Sequence, residues 1–170
     1  MVKAEMNTRM AGILSAADVQ QLIHQTELEA GLDSLLGDGV IEQSGVWLLR
    51  AMLPEGFNAD LAVSQSFDRT DVECSANHVH VEEFVDASRC WSSLQIVSQG
   101  HAFAQRLVVL LESMGAFEII LSFHEGADAG GCIVTFHLIR PGEEWLAPDL
   151  EGYEEDAILV LRTAVEQNPE

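Results

Sequence analysis

The chain has 170 residues, a length typical of one domain, and its 48% apolar content suffices for a buried core and is too high for a disordered chain. Its 28 acidic and 8 basic residues give a formal net charge of −20, which excludes direct binding to nucleic acid phosphates or to an anionic membrane. We therefore expect its partners to be basic or apolar segments of other proteins.

Cysteine usage and the absence of targeting signals indicate the reducing cytoplasm. The three cysteines are too few and too irregularly spaced for a disulfide framework. No apolar run is long enough to span a membrane, and the first ten residues lack the apolar centre of a secretory signal. We predict that residues 1–14 are a disordered N-terminal segment and that residues 15–170 form a single α+β domain.

The first half of the chain predicts a helical segment followed by strands. Apolar residues recur at helical spacing over residues 15–36, which predicts one helix or two short ones. The short apolar run 46–53 predicts a strand. Apolar and polar residues alternate over 59–67 and again over 78–85, as in strands with one solvated face. The sequence leaves undecided whether residues 91–97 form a further strand.

The second half predicts a helix and a hairpin. A wide apolar stripe over residues 101–114 predicts a helix that begins after Gly100 and ends at Gly115. Residues 117–123 and 132–139 flank a glycine-rich turn and predict two paired strands.

The sequence does not decide whether the last element is a helix or a strand. Apolar spacing over residues 152–166, with acidic residues early and Arg162 late, favours a helix whose dipole these charges suit. The apolar run 158–161 fits a strand instead. With the helix, the predicted fold is α+β, an antiparallel sheet with three helices in the order α-β-β-β(-β)-α-β-β-α, without the alternation typical of a parallel sheet.

One local pattern carries metal-ligating residue types. His78, His80 and Glu82 would share one face of a strand, and two imidazoles with a carboxylate are ligands that zinc and iron accept. Nothing in the spacing selects a further ligand from the remaining candidates, His101, His124 and His137. We predict no metal and no cofactor, and keep this strand as an alternative metal site.

No arrangement of residues predicts catalysis. A cysteine–histidine nucleophile pair is conceivable for Cys74, Cys90 or Cys132, but no helix N-terminus or glycine elbow supports it, so we expect small buried cysteines. The paired carboxylates are adjacent in sequence, so their side chains diverge on any regular element. We therefore predict a non-catalytic protein.

The order of elements, the acidity and the length together resemble the class I chaperones of type III secretion systems. The likeness is closest from Gly100 to Val165, where an apolar helix ends at Gly115, a hairpin spans residues 117–139, Pro141 follows, and an acidic terminal helix ends the chain, as in these chaperones. The resemblance implies a homodimeric cytoplasmic chaperone without catalytic residues. Such a chaperone holds an extended segment of a secreted protein, and its middle helix lies at the dimer interface.

Two sets of residues are predicted to contact partners. Large apolar side chains on partly exposed strands would accept an extended client through alternate positions. These residues are Trp47, Leu49, Phe57, Leu61 and Val63. The apolar surface of the 101–114 helix exceeds what one chain of this size covers, which predicts a homodimer. Its interface residues are Phe103, Leu107, Leu110 and Leu111.

Two other functions stay open. The first is an acidic inhibitor or immunity protein, or a nucleic-acid mimic, whose carboxylates would occupy the basic site of a nuclease or another nucleic-acid-binding protein. The second is a small metal-dependent enzyme that uses the His78/His80 strand. The inhibitor predicts binding that weakens steeply with salt, whereas the chaperone predicts largely apolar binding. The acidity also fits adaptation to a high-salt habitat.

Overall fold

The computed structural model describes residues 2–124 and 131–164. Within these ranges the chain forms seven β-strands and six α-helices, joined in places by short 3₁₀ turns. The strands are β1 (Lys3–Met6), β2 (Val40–Gln43), β3 (Val46–Leu49), β4 (Val79–His80), β5 (Phe117–His124), β6 (Cys132–Leu138) and β7 (Asp156–Arg162). The helices are α1 (Thr8–Ser15), α2 (Ala17–Gln25), α3 (Ala30–Gly37), α4 (Ala59–Gln65), α5 (Arg69–Ala76) and α6 (Ser93–Leu111).

Five strands form one antiparallel sheet in the order β1-β7-β5-β6-β4, and β2 with β3 form a separate two-stranded hairpin. The α+β class with antiparallel sheets is therefore confirmed, although the described residues contain six helices and not three. The predicted hairpin of β5 and β6 is also confirmed, in a register that pairs Phe117 with Leu138 and Phe123 with Cys132. The turn residues 125–130 lie outside the described part of the chain.

The main core lies between α6 and one face of the five-stranded sheet. Alternate residues of β5 point to this inner face, where Phe117 and Ile119 are buried against α6. The residues that alternate with them point to the outer face, where Glu118 is only partly covered and Ile120 is buried in a third, smaller core with Ile158 and Val160. A smaller core joins the β2–β3 hairpin to α4 and α5, through Val46 and Val72 among others.

The N-terminal prediction was wrong. Residues 3–14 are not disordered, because β1 pairs with β7 and is followed directly by α1. Asn7 links the two elements: its side-chain oxygen accepts hydrogen bonds from the backbone N–H of Met10, at 3.0 Å, and of Ile158, also at 3.0 Å. An N-cap side chain of this kind stabilises the start of a helix.

The strand predicted over residues 59–67 was also wrong, since Ala59–Gln65 is helix α4. Asn58 caps this helix by accepting a hydrogen bond from the N–H of Leu61 at 2.9 Å. Ala59 and Val63 pack against the smaller core one helical turn apart. In so short a segment the apolar residues fit both the two-residue period of a strand and the spacing of a helix. The Asn58 cap selects the helix.

The long helix begins earlier than predicted. The sequence does not decide whether residues 91–97 form a strand; in the structure α6 starts at Ser93, where Ser92 and Gln95 form a reciprocal capping box. The predicted helix over residues 101–114 is confirmed as far as Leu111, where α6 ends.

The C-terminal helix predicted over residues 152–166 was wrong, and the strand alternative was right for this segment. Residues 156–162 form β7, which pairs with β1 on one side and β5 on the other. Residues 157–161 are all buried, because a strand inside a sheet that is covered on both faces exposes neither set of alternating side chains. Residues 165–166 lie outside the described part of the chain.

The remaining strand predictions were partly right. The run 46–53 forms β3 only as far as Leu49 and then a 3₁₀ turn. The segment 78–85 forms only the two-residue strand β4 before another 3₁₀ turn.

Residues 15–36 contain the two short helices α2 and α3 rather than one long helix.

Gly100 lies inside α6 because the helix crosses the sheet closely there. A Cβ atom at this position would overlap Sγ of Cys132 and lie 3.3 Å from a methyl carbon of Leu121. A small residue is therefore required at this contact.

We predict that Gly100→Ala destabilises the protein by about 1–3 kcal/mol through overpacking, despite the better helix propensity of alanine. Gly12, in the interior of α1, has no atom within 4 Å of the corresponding Cβ position. Gly12→Ala is therefore the matched control and should be neutral or stabilising by up to about 1 kcal/mol. Urea unfolding of both variants measures the difference, and equal effects would contradict the tight crossing.

Candidate functional site

The outer face of the sheet carries a cleft of about 340 Å³, closed on one side by the segment that follows β6. Strands β1, β5, β6 and β7 supply its floor, and residues 139–150 supply its wall and rim. The charged and aromatic side chains that line it are Glu5, Glu118, His137, Arg140, Glu143, Glu144, Trp145 and Arg162.

A row of paired charges crosses the floor of this cleft. Glu118 on β5 is the register partner of both His137 on β6 and Arg162 on β7. Its carboxylate lies 3.3 Å from Nε2 of His137 and accepts a hydrogen bond from Nε of Arg162 at 2.7 Å. Arg162 also donates to Glu5 on β1 at 2.7 Å. The row therefore links four adjacent strands.

The pKa of Glu118 reflects these contacts. Burial alone would raise the pKa, but the hydrogen bonds from His137 and Arg162 and the positive charge of Arg162 outweigh it and hold the pKa below its usual range. Glu118 is therefore a carboxylate at neutral pH, and its negative charge is already matched by the chain's own arginine.

The wall of the cleft is fixed by a buried ion pair. Glu73 on α5 is fully buried and accepts two hydrogen bonds from the Arg140 guanidinium, at 2.7 and 2.8 Å. The backbone N–H groups of Trp47 and Leu138 donate to the same carboxylate, at 2.7 and 2.8 Å. Burial would lower the pKa of Arg140, but the hydrogen bonds and charge of Glu73 raise it on balance. Arg140 therefore stays cationic and anchored.

The rim combines carboxylates with apolar surface. Glu143 accepts hydrogen bonds from the N–H and hydroxyl of Thr70, at 3.1 and 3.0 Å, while Glu144 is exposed. The side chain of Trp145 is 40% exposed, and Ile139 beside the cleft is similarly exposed. An aromatic face next to carboxylates is suited to a cationic side chain, which it contacts through cation–π attraction and charge-assisted hydrogen bonds.

None of the residues predicted to bind a client lines this cleft. Leu49 is fully buried, and Trp47 is half-buried with its ring edge-on to Phe117 at 5.6 Å. Phe57 and Val63 are half-buried against the smaller core, and only Leu61, at 53%, is strongly exposed. The predicted groove of alternating strand residues does not form, because α4 replaces one of its strands. The signal that sequence reasoning missed is Trp145 directly after two glutamates.

The predicted dimer interface needs correction as well. Phe103, Leu107 and Leu111 are fully buried in the chain's own core, where they face the sheet. They cannot also contact a second copy. Leu110, seven residues after Phe103, lies at the edge of the same buried face of α6 and is only partly buried.

The His78/His80/Glu82 pattern does not form a set of ligands on one strand. The two imidazole rings lie near each other, with centroids 4.9 Å apart, and His80 Nδ1 is 3.7 Å from a Glu82 oxygen. Burial and the neighbouring His80 lower the pKa of His78. His124 and His137 instead lie beside other carboxylates. Over residues 2–124 and 131–164, no three His, Cys, Asp or Glu side chains are placed to hold a metal ion.

Two of the three cysteines are buried, as expected, whereas Cys90 is exposed. Burial raises the pKa of the Cys74 thiol, with a further contribution from the charge of Glu73, and burial also raises that of Cys132. Both thiols therefore stay protonated at neutral pH and are poor nucleophiles.

Comparison with known proteins identifies the family. A family model described as the uncharacterized protein PM0498 family matches residues 5–169. The chain belongs to this family. No curated protein and no solved structure matches it. Among the helices in the described ranges, none has the length and apolarity needed to cross a membrane.

We predict that Arg140→Met destabilises the protein by about 3–5 kcal/mol, because it leaves the buried Glu73 carboxylate without its ionic partner. Arg89→Met is the matched control, since Arg89 pairs with Glu29 at 2.8 Å but is more than half exposed. Its loss should cost no more than about 1 kcal/mol. The free energy of unfolding in urea tests both variants. A similar cost for both would show that the Glu73–Arg140 pair is not the anchor.

We further predict that Glu118 makes stability depend on acidic pH. Because its pKa is lowered in the folded state, the unfolded state binds more protons in the window below about pH 4.3, and the free energy of unfolding falls as pH falls through this window. The stability difference between the wild type and Glu118→Gln should therefore be largest near neutral pH and narrow on acidification. Glu55→Gln, at an exposed turn, should show no such narrowing.

Proposed function

We propose that the protein is a non-catalytic, acidic binding protein that holds a basic segment of another protein in the cleft on the outer face of the sheet. The observation that carries this proposal is the exposed ring of Trp145 next to Glu143 and Glu144. Both arginines of the cleft are already paired with the chain's own carboxylates. Glu143 is itself partly engaged, since Arg140 lies 3.7 Å from its carboxylate and Thr70 donates hydrogen bonds to it. Glu144 makes no ion pair within the described residues, so it is the rim carboxylate that a partner's cation meets first.

The charge of the whole chain supports the same partner. At −20, the protein attracts a basic surface once the two approach to about one Debye length, which raises the rate of productive encounter. The aromatic and aliphatic part of the cleft then supplies short-range contact. Aromatic anchors of this kind carry much of the energy at protein interfaces.

We propose a cytoplasmic chaperone as the cellular form of this function. The support is the edge strand β1, which pairs with β7 on one side only; Met6 on this strand and Val2 just before it are exposed. An extended client segment can add to such an edge by main-chain hydrogen bonds. The proposal no longer rests on element order, because β7 stands where the type III chaperones carry a terminal helix.

The alternative form is an inhibitor of a basic nucleic-acid-binding protein. The supporting observation is the same set of rim carboxylates, which would occupy the target's phosphate site. A chaperone binds short extended peptides, whereas an inhibitor of this kind requires a folded target. Peptide binding therefore separates the two forms.

We predict that a fluorescent peptide of about 12 residues with alternating Arg and Leu binds the protein, whereas the matching Glu and Leu peptide does not. Trp145→Ala should weaken binding about ten-fold, or about 1.4 kcal/mol. Raising NaCl from about 0.05 to 0.5 M shortens the screening length from roughly 14 to 4 Å and should also weaken binding to the wild type, because the proposed cleft binds cations; salt sensitivity therefore does not separate this chaperone from the inhibitor. Fluorescence anisotropy measures both effects.

The control is Phe67→Ala, since Phe67 is 96% exposed and does not line the cleft. This variant should bind as tightly as the wild type. Equal losses for Trp145→Ala and Phe67→Ala, or equal affinity for the basic and acidic peptides, would contradict the proposed site. Binding of a folded basic target without binding of the peptide would favour the inhibitor.

A further inference from the structure

A second surface, on the far side of α6 from the sheet, is apolar and shallow. It encloses about 570 Å³ between the ends of α3 and α6. Its apolar residues are Leu36, Val109, Leu110 and Met114, and its charged residues are Asp33 and Arg106. Val109 is 66% exposed and Met114 is 39% exposed, so the two contribute a contiguous patch of exposed apolar surface. We call this surface the α3–α6 face.

We propose that the α3–α6 face is a self-complementary interface through which two copies of the chain form a twofold dimer. This inference does not depend on the proposed function of the cleft. Within the described ranges, neither Asp33 nor Arg106 makes an ion pair inside its own chain. In a twofold interface each contact occurs twice, so Arg106 can pair with Asp33 of the partner subunit on both sides of the apolar centre.

The charges identify the occupant as a second copy. The α3–α6 face carries one acid and one base, so it is neutral in a chain of −20. Two such chains repel each other over most of their surfaces, and a neutral apolar surface is where that repulsion is weakest. A strongly basic partner gains little here compared with the acidic cleft.

The predicted mass of the assembly is twice 18.6 kDa. We expect light scattering after size exclusion to give this value at tens of micromolar protein and about 0.15 M salt. Val109→Glu should give a monomer, because it buries two carboxylates at the twofold centre. Phe67→Glu adds the same charge at another exposed apolar position and should stay dimeric.

A charge exchange tests the pairing itself. Arg106→Asp should weaken the dimer by ten-fold or more, because it places like charges opposite each other. The double variant Arg106→Asp with Asp33→Arg restores opposite charges and should restore the dimer. Circular dichroism melting shows whether each variant is folded, and Met114→Glu replaces Val109→Glu if that variant does not fold.

Three results would overturn the proposal. The first is a wild-type monomer at about 200 μM. The second is a dimer that persists in folded Val109→Glu and Met114→Glu, or that dissociates equally in Phe67→Glu. The third is a double charge-exchange variant that stays as monomeric as Arg106→Asp alone.

Discussion

The buried ion pair between Glu73 and Arg140 joins the two sheets of the molecule. Glu73 accepts hydrogen bonds from Arg140, from the N–H of Trp47 on β3 and from the N–H of Leu138 on β6. Arg140 in turn donates to the carbonyl of Gly45 at 2.8 Å. A buried carboxylate is tolerated only when its oxygens are matched by donors, and here four donors meet it. Since Arg140 begins the segment that forms the wall of the cleft, this pair positions the candidate site as well as the fold.

Two buried asparagines also join separate elements of the fold through hydrogen bonds to backbone groups. Asn77 accepts from the N–H of Leu49 at 2.9 Å and donates to the carbonyls of Trp47 and Phe136, so it too ties β3 to β6. Asn7 ties the start of α1 to β7. A chain with 20 excess negative charges repels itself, and apolar burial alone does not fix how its parts are oriented. Directional hydrogen bonds to backbone groups supply that orientation without adding charge to the interior.

The sequence patterns succeeded where they were long and local. They failed where a distant contact decided the structure and, at α4, where a short segment fitted both periods and a local cap selected the helix. The β5–β6 hairpin has alternation on both sides of a glycine-rich turn, so its pairing was predictable. Residues 157–161 are apolar throughout, which is compatible with helix or strand until the neighbours β1 and β5 are known. The floor of the cleft depends on that assignment, because Glu118 and Arg162 meet only through the β5–β7 register. Glu73 and Arg140 lie 67 residues apart, and no local pattern connects them.

The acidic cleft and the α3–α6 face lie on opposite sides of the main sheet, so a partner bound at one leaves the other free. Alternation along β5 sends Ile119 towards α6 and Glu118 towards the cleft, so the sheet separates the α3–α6 face from the acidic rim. If two copies associate through the α3–α6 face, neither cleft is covered, and the dimer presents two acidic sites. A partner with two basic segments would then bind the second site at a raised effective concentration, provided that its linker spans the dimer. A single cleft with modest affinity is sufficient for tight capture under that geometry, because the two weak contacts act together.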